Sequence, residues 1–126
     1  MKYSELEVWQ EAMAVAEAVF RLCEALPASQ RFVLSQQMQR SALSIACNIA
    51  EGHGRKSTGA FLNHLSIASG SLRELETQLQ LAQRLGLIAA NEVEALDDRL
   101  DKVGRMLAKL SSALRSADAK RDGGDG

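Results

Sequence analysis

The chain has 126 residues and a formal net charge of -1, with 46% hydrophobic, 25% charged and 4% aromatic side chains. That balance describes one ordinary globular domain, long enough for a core without staples, and it excludes a disordered chain. It also lacks the basic excess of dedicated duplex-DNA binders and the aromatic platforms of single-strand binders.

The N-terminal MKYSELEVWQE carries acids where a signal peptide would carry its apolar region. Ser4 and Glu7 have capping-box spacing, so the first helix is expected to start there. Leu6, Trp9, Met13, Ala16, Phe20 and Cys23 follow it at helical steps, and Val8, Val15, Val19, Leu22 and Leu26 form a second line beside them. Two apolar stripes exceed what one neighbour requires, so this helix is buried on a wide face or touches another subunit. Pro27, the one proline, stops it.

Ser29 is the expected cap of a second helix over 30–51, with Gly52 as its stop at positive φ. Two seams run along that helix. Met38, Ala42, Ile45, Ile49 and Gly52 are apolar or small, while Gln37, Ser41, Ser44, Asn48 and Glu51 form a compact polar ridge with the same steps. Such a ridge either fixes helix register or contacts a ligand, because buried polar groups are costly unless paired. Arg40 is expected to pair with Glu74 or Glu76 on the third helix.

The turn HGRKST follows, and Ser57 or Thr58 caps the third helix. Its core line is Phe61, Leu65, Ala68, Leu72, Leu75, Leu79 and Ala82, and Gly86 ends it. Gly70 lies mid-helix, where close approach of another helix is the usual compensation. Asn91 and Glu94 have capping-box spacing ahead of a fourth helix, whose line runs through Val93, Leu96, Leu100, Val103, Leu107, Leu110 and Leu114. The apolar pattern stops at Ala117, so residues 1–116 are expected to fold and 117–126 to be a disordered tail. With no strand-like alternation anywhere, the fold class is all-α, an up-down-up-down antiparallel four-helix bundle.

No stretch approaches the roughly 20 apolar residues that span a bilayer, so no membrane partner is expected. Cys23 and Cys47 lie far apart in helical contexts and read as small buried hydrophobes of a reducing compartment, which places the protein in the cytoplasm. Glu51, His53 and His64 are the only set that a metal-dependent enzyme could use, but they lack the ExxH spacing of di-iron bundles. GHGRKSTG lacks the GxxxxGK[ST] spacing and the preceding strand of a phosphate loop. Neither a catalytic residue nor a cofactor is expected.

Charge is distributed unevenly along the chain. Residues 30–60 carry Arg31, Arg40, Arg55 and Lys56 against the single acid Glu51, whereas the first 29 residues carry five glutamates against Lys2 and Arg21. The four bases are candidate contacts for nucleic acid or a partner. The opposing reading is self-complementarity, with acidic and basic faces meeting within or between subunits.

SIACNIAEGHGR, preceded by Gln37 and Arg40 and followed by FLNHLSIASGSLRELETQL, resembles the bacterial four-helix-bundle family named for the 23S rRNA intervening-sequence protein, also called S23-like. VWQEA and Pro27 fit the same pattern, and the resemblance covers about residues 6–115. The matching positions are Trp9, Gln37, Arg40, Ser44, Asn48, Glu51, Gly52, Gly54, Arg55, Gly70, Ser71, Glu74 and Glu76. The resemblance implies a homopentamer without enzymatic activity. A related branch, the accessory protein of diversity-generating retroelements, implies RNA or a reverse transcriptase as partner. This chain departs from the strongly basic surface of that branch in its pI near 6.1, and from the family's more typical paired arginine in having Gln39-Arg40. The expectation is therefore a non-enzymatic, oligomeric interaction protein that engages RNA or a nucleic-acid-processing partner; the alternative is a scaffold for a protein partner alone.

Overall fold

In a computed structural model that describes residues 1–26 and 32–124, the chain forms four helices: α1 (Glu7–Glu24), α2 (Phe32–His53), α3 (Thr58–Arg84) and α4 (Ala90–Gly124). α2 packs on α1 and α3, and α4 packs on α3 and α1, while the diagonal pairs stay apart. This is the expected all-α up-and-down bundle. Among the described residues, no helix is long and apolar enough to cross a membrane.

The chain enters α1 through a single 3-10 turn, Tyr3–Glu5, with Leu6 in extended conformation as N-cap. The Ser4–Glu7 box therefore does not form. Leu6 packs on the core and Tyr3 folds edge-on against Trp9, with ring centroids 5.4 Å apart. The partial burial of Leu6 and the Tyr3–Trp9 edge contact together outweigh the roughly 1 kcal/mol of a serine cap.

Of the two stripes on α1, the valine line faces inward: Val8, Val15 and Val19 are buried together with Ala12, Ala16 and Cys23. Met13 and Phe20 of the other line are exposed, and Trp9 is half-buried. The compact valines fit between α2 and α4, leaving the long side chains on the flank. α1 ends at Glu24, and Pro27 and Ser29 lie outside the described residues.

On α2, Met38, Ala42, Ile45 and Ile49 are buried as expected. Two expectations for this helix are corrected. Cys47 is exposed, on the outward line with Leu43. Gly52 is not a stop at positive φ; it lies buried within the helix, and Gly86 is the only glycine described with positive φ. A Cβ on Gly52 would lie 2.8 Å from His64 Cβ and 2.9 Å from Phe61 Cδ1, so its bare backbone is what lets α3 approach. The helix closes at Gly54, whose N–H reaches the carbonyls of Ala50 and Glu51.

Ser57 caps α3, its Oγ accepting from the Ala60 N–H at 3.1 Å. The predicted α3 line is buried apart from half-exposed Phe61. Gly86, at φ 72°, closes the helix: its N–H reaches Gln83 O, and the Leu87 N–H reaches Ala82 O, each at 2.9 Å. No close approach compensates Gly70, since nothing in the chain lies within 4 Å of a Cβ placed there.

α4 begins at Ala90, with the Glu92 and Val93 N–H groups on Ala89 O, so Asn91 falls inside the first turn and its box with Glu94 is not made. Ile88, 5% exposed, has to enter the core directly after the Gly86 turn, and that fixes where the helix can start. α4 runs on to Gly124, past the boundary expected at residue 117.

Candidate functional site: the polar seam between α2 and α3

The polar ridge of α2 lies against α3. The Asn48 side-chain amide donates to Ser44 O at 2.9 Å and to Ser44 Oγ at 3.1 Å. Ser44 Oγ and Ser71 Oγ share a hydrogen bond of 2.8 Å, joining the two helices. Asn48 Oδ1 lies 3.0 Å from His64 Nδ1, which also lies 3.6 Å from Glu51 Oε2.

These contacts orient one another. A backbone carbonyl only accepts, so Asn48 turns its NH2 towards Ser44 O and its oxygen towards His64. His64 Nδ1 therefore carries the proton and donates it to Asn48, beside the Glu51 carboxylate. Neither Ser44 nor Ser71 is hydrogen-bonded to the imidazole, so the nucleophile–base contact of hydrolytic sites is not made. The seam ties α2 to α3 and fixes their register.

Of the predicted ridge, Ser44, Asn48 and Glu51 come together, and Ser41 is buried at 3% exposure. Gln37 is exposed and stays outside the network. Ser71 and His64 complete it from α3. Their seven-residue spacing, which puts them on one helix face opposite the ridge, was the signal available in the sequence.

Arg40 makes no ion pair with Glu74 or Glu76. Glu76 is instead taken by Arg73 on its own helix, at 3.0 and 3.1 Å. Arg40, Arg55 and Lys56 are exposed, and none lies within 4.0 Å of an acid among the described residues. Arg31 lies outside the described residues. Arg40 stands about 20 Å along α2 from the Arg55–Lys56 turn, so the bases do not converge on one patch. Nor does α2 supply the charge partner of acidic α1, since Lys102 of α4 pairs with Glu11 at 3.1 Å.

His53 packs edge-on against Phe61, with centroids 5.9 Å apart, while His64 is engaged by Asn48. Among the described residues, no three His, Cys, Asp or Glu side chains are grouped to hold a metal. An open groove of about 620 Å³ lies between α1 and α2, walled mainly by Trp9, Met13, Phe20 and Leu43. Between α3 and α4, Asp97 sits with Glu76 and Asp101. Burial first, then those two carboxylates, hold its own carboxyl above the ordinary value.

Four antiparallel helices pinned by an internal polar seam, with no assembled metal or nucleophile site among the described residues, define a helical-bundle protein. Residues 4–109 match the profile of the family described as 23S rRNA-intervening sequence protein. The chain belongs to that family. It is also similar to a protein of unknown function from the S23 ribosomal protein family of Bacteroides thetaiotaomicron, known from a crystal structure. The two share 28% identity and superpose with a TM-score of 0.78, over 82% of this chain and 97% of that one. No match was found among curated proteins.

Proposed function

We propose that the protein is a non-enzymatic, self-associating bundle of the cytoplasm that acts as an interaction module for structured RNA. The observation that carries self-association is the second apolar stripe of α1. Met13 and Phe20 stand in solvent beside Leu43 of α2, although a complete core lies directly behind them. A contiguous apolar surface of this kind marks an interaction site. A homopentamer, the assembly that the resemblance implies, is the expected product.

RNA is supported by the family to which the chain belongs and by Arg55 and Lys56, two neighbouring bases in the turn after α2 with no acid within 4.0 Å among the described residues. The alternative, a scaffold for a protein partner alone, is favoured by the net charge of -1. Sedimentation velocity at micromolar concentration tests the first half of this reading, and a stable monomer would remove it. Pull-down from a bacterial lysate with and without nuclease tests the second. Recovery of RNA, abolished by nuclease treatment, supports RNA binding. A protein retained after nuclease, with no RNA recovered, replaces it with the scaffold.

A further inference from the structure

We infer that the groove between α1 and α2 is occupied by the outward face of α3 from a second copy of the chain, with Arg40 of one copy paired to Glu74 of the other. The inference rests on the self-association proposed above and names the two surfaces that meet.

The groove runs from Trp9 to Phe20, about 16 Å along α1, and Leu43 of α2 forms its far wall. Phe20 is 39% and Leu43 47% exposed. α3 carries a stripe of matching length on its outward side, from Ile67 (45% exposed) through Gly70 and Glu74 to Leu81 (48%), about 21 Å long. A glycine in a helix interior costs about 1 kcal/mol. Gly70 faces open space in its own chain, and its bare backbone leaves room there for a large side chain of another copy.

Charge selects the occupant. The outward line of α2, through Val33, Gln36, Arg40, Leu43 and Cys47, holds one charge, Arg40. The outward line of α3 from Asn63 to Leu81 also holds one, Glu74. Neither has an opposite charge within 4.0 Å among the described residues. Covering a lone charge with an apolar surface leaves it desolvated and unpaired, whereas an opposite charge at the same place fixes partner and register. Both lines advance by alternating steps of three and four. Aligning Arg40 with Glu74 therefore sets Val33 and Cys47 against Ile67 and Leu81, whichever way the helices run. The two surfaces differ, so the contact is heterologous and each copy offers one of each.

Sedimentation velocity on full-length wild type, Arg40→Glu, Glu74→Arg and an equimolar mixture of the two variants tests the pairing, with circular dichroism to confirm that each chain is helical. Each variant alone is expected to associate about tenfold more weakly or worse. The mixture is expected to regain association in part: each variant supplies the charge that the other's surface now lacks, but a ring of five leaves one contact between two copies of the same variant. A pair made inside one chain would not be repaired by mixing. Phe20→Asp should weaken association as well. If wild type associates and Phe20→Asp does not, while Glu74→Arg behaves as wild type, the groove meets itself or another surface and the inference is overturned. A mixture that stays dissociated overturns it too. A monomeric wild type removes the self-association reading, and this inference with it.

Discussion

Gly52 and Gly70 lie on packed neighbouring helices and answer to opposite demands. At Gly52 a methyl group would push into His64 Cβ and Phe61, at 2.8 and 2.9 Å, and His64 cannot move without disturbing its bond to Asn48. Gly52→Ala should gain about 1 kcal/mol of helix propensity and lose more to overpacking, for a net loss of about 1–2 kcal/mol in denaturant unfolding. Gly70→Ala meets nothing within 4 Å and should stabilise the isolated fold by up to about 1 kcal/mol. The sequence marks both as helical glycines; which one is crowded depends on how closely α3 approaches, a distance no local pattern encodes.

Asp97 is a second residue whose surroundings decide its chemistry. Oδ2 accepts from the Gln80 side chain at 3.2 Å, while Oδ1 is buried without a partner. Burial, followed by the charges of Glu76 and Asp101, raises its folded pKa above the ordinary 3.8. The folded state then holds its proton more tightly than the unfolded one. The stability it contributes is present at low pH and is lost as pH rises from about 4 through the raised value. Asp97→Asn should remove that slope and be more stable than wild type at pH 7, read by thermal melts across pH. Equal melting temperatures at pH 7 would show that solvent already screens the carboxylate.

At the scale of the helices, the ends test how capping trades against burial. α3 has a serine cap, and Ser57→Ala should cost about 1 kcal/mol. α4 starts behind Ala89, which has no side-chain acceptor for the first free amides. Ala89→Ser should therefore gain about 1 kcal/mol, measured by the same unfolding experiment. Ser57 was legible because cap and turn agree locally. Ser4 and Asn91 misled because Leu6 and Ile88 are drawn into the core and move the helix starts by two or three residues. The α3 line from Leu65 to Ala82 was legible since it is apolar at nearly every step, whereas the outward line holds only Ile67 and Leu81, with Gly70, Glu74 and Thr77 between them. On α1 two stripes compete, and the winner is set by the shape of the space between α2 and α4, which favours small β-branched side chains.

Across the whole molecule, the functional surfaces separate more cleanly than the sequence suggested. The stretch from Arg40 to Lys56 combines polar, small and basic residues, and by residue type alone it reads as one site. Folded, it divides: Ser44, Asn48 and Glu51 face α3, Arg40 faces outward among uncharged neighbours, and Arg55 and Lys56 project from the end of the bundle. A helix of 22 residues keeps these groups apart because its length, about 33 Å, fixes their separation. The proposed RNA binding at the turn and the proposed assembly through Arg40 should thus be separable by mutation. With a structured rRNA fragment as probe, Arg55→Ala/Lys56→Ala should reduce the slope of log affinity against log salt by about 2, one for each phosphate that is no longer neutralised. The oligomeric state should be unchanged. Arg40→Ala should weaken self-association and leave the salt slope of RNA binding by each protomer as it was. If the double variant keeps the full slope, the turn is a solvated connection between helices and any RNA is held elsewhere on the bundle.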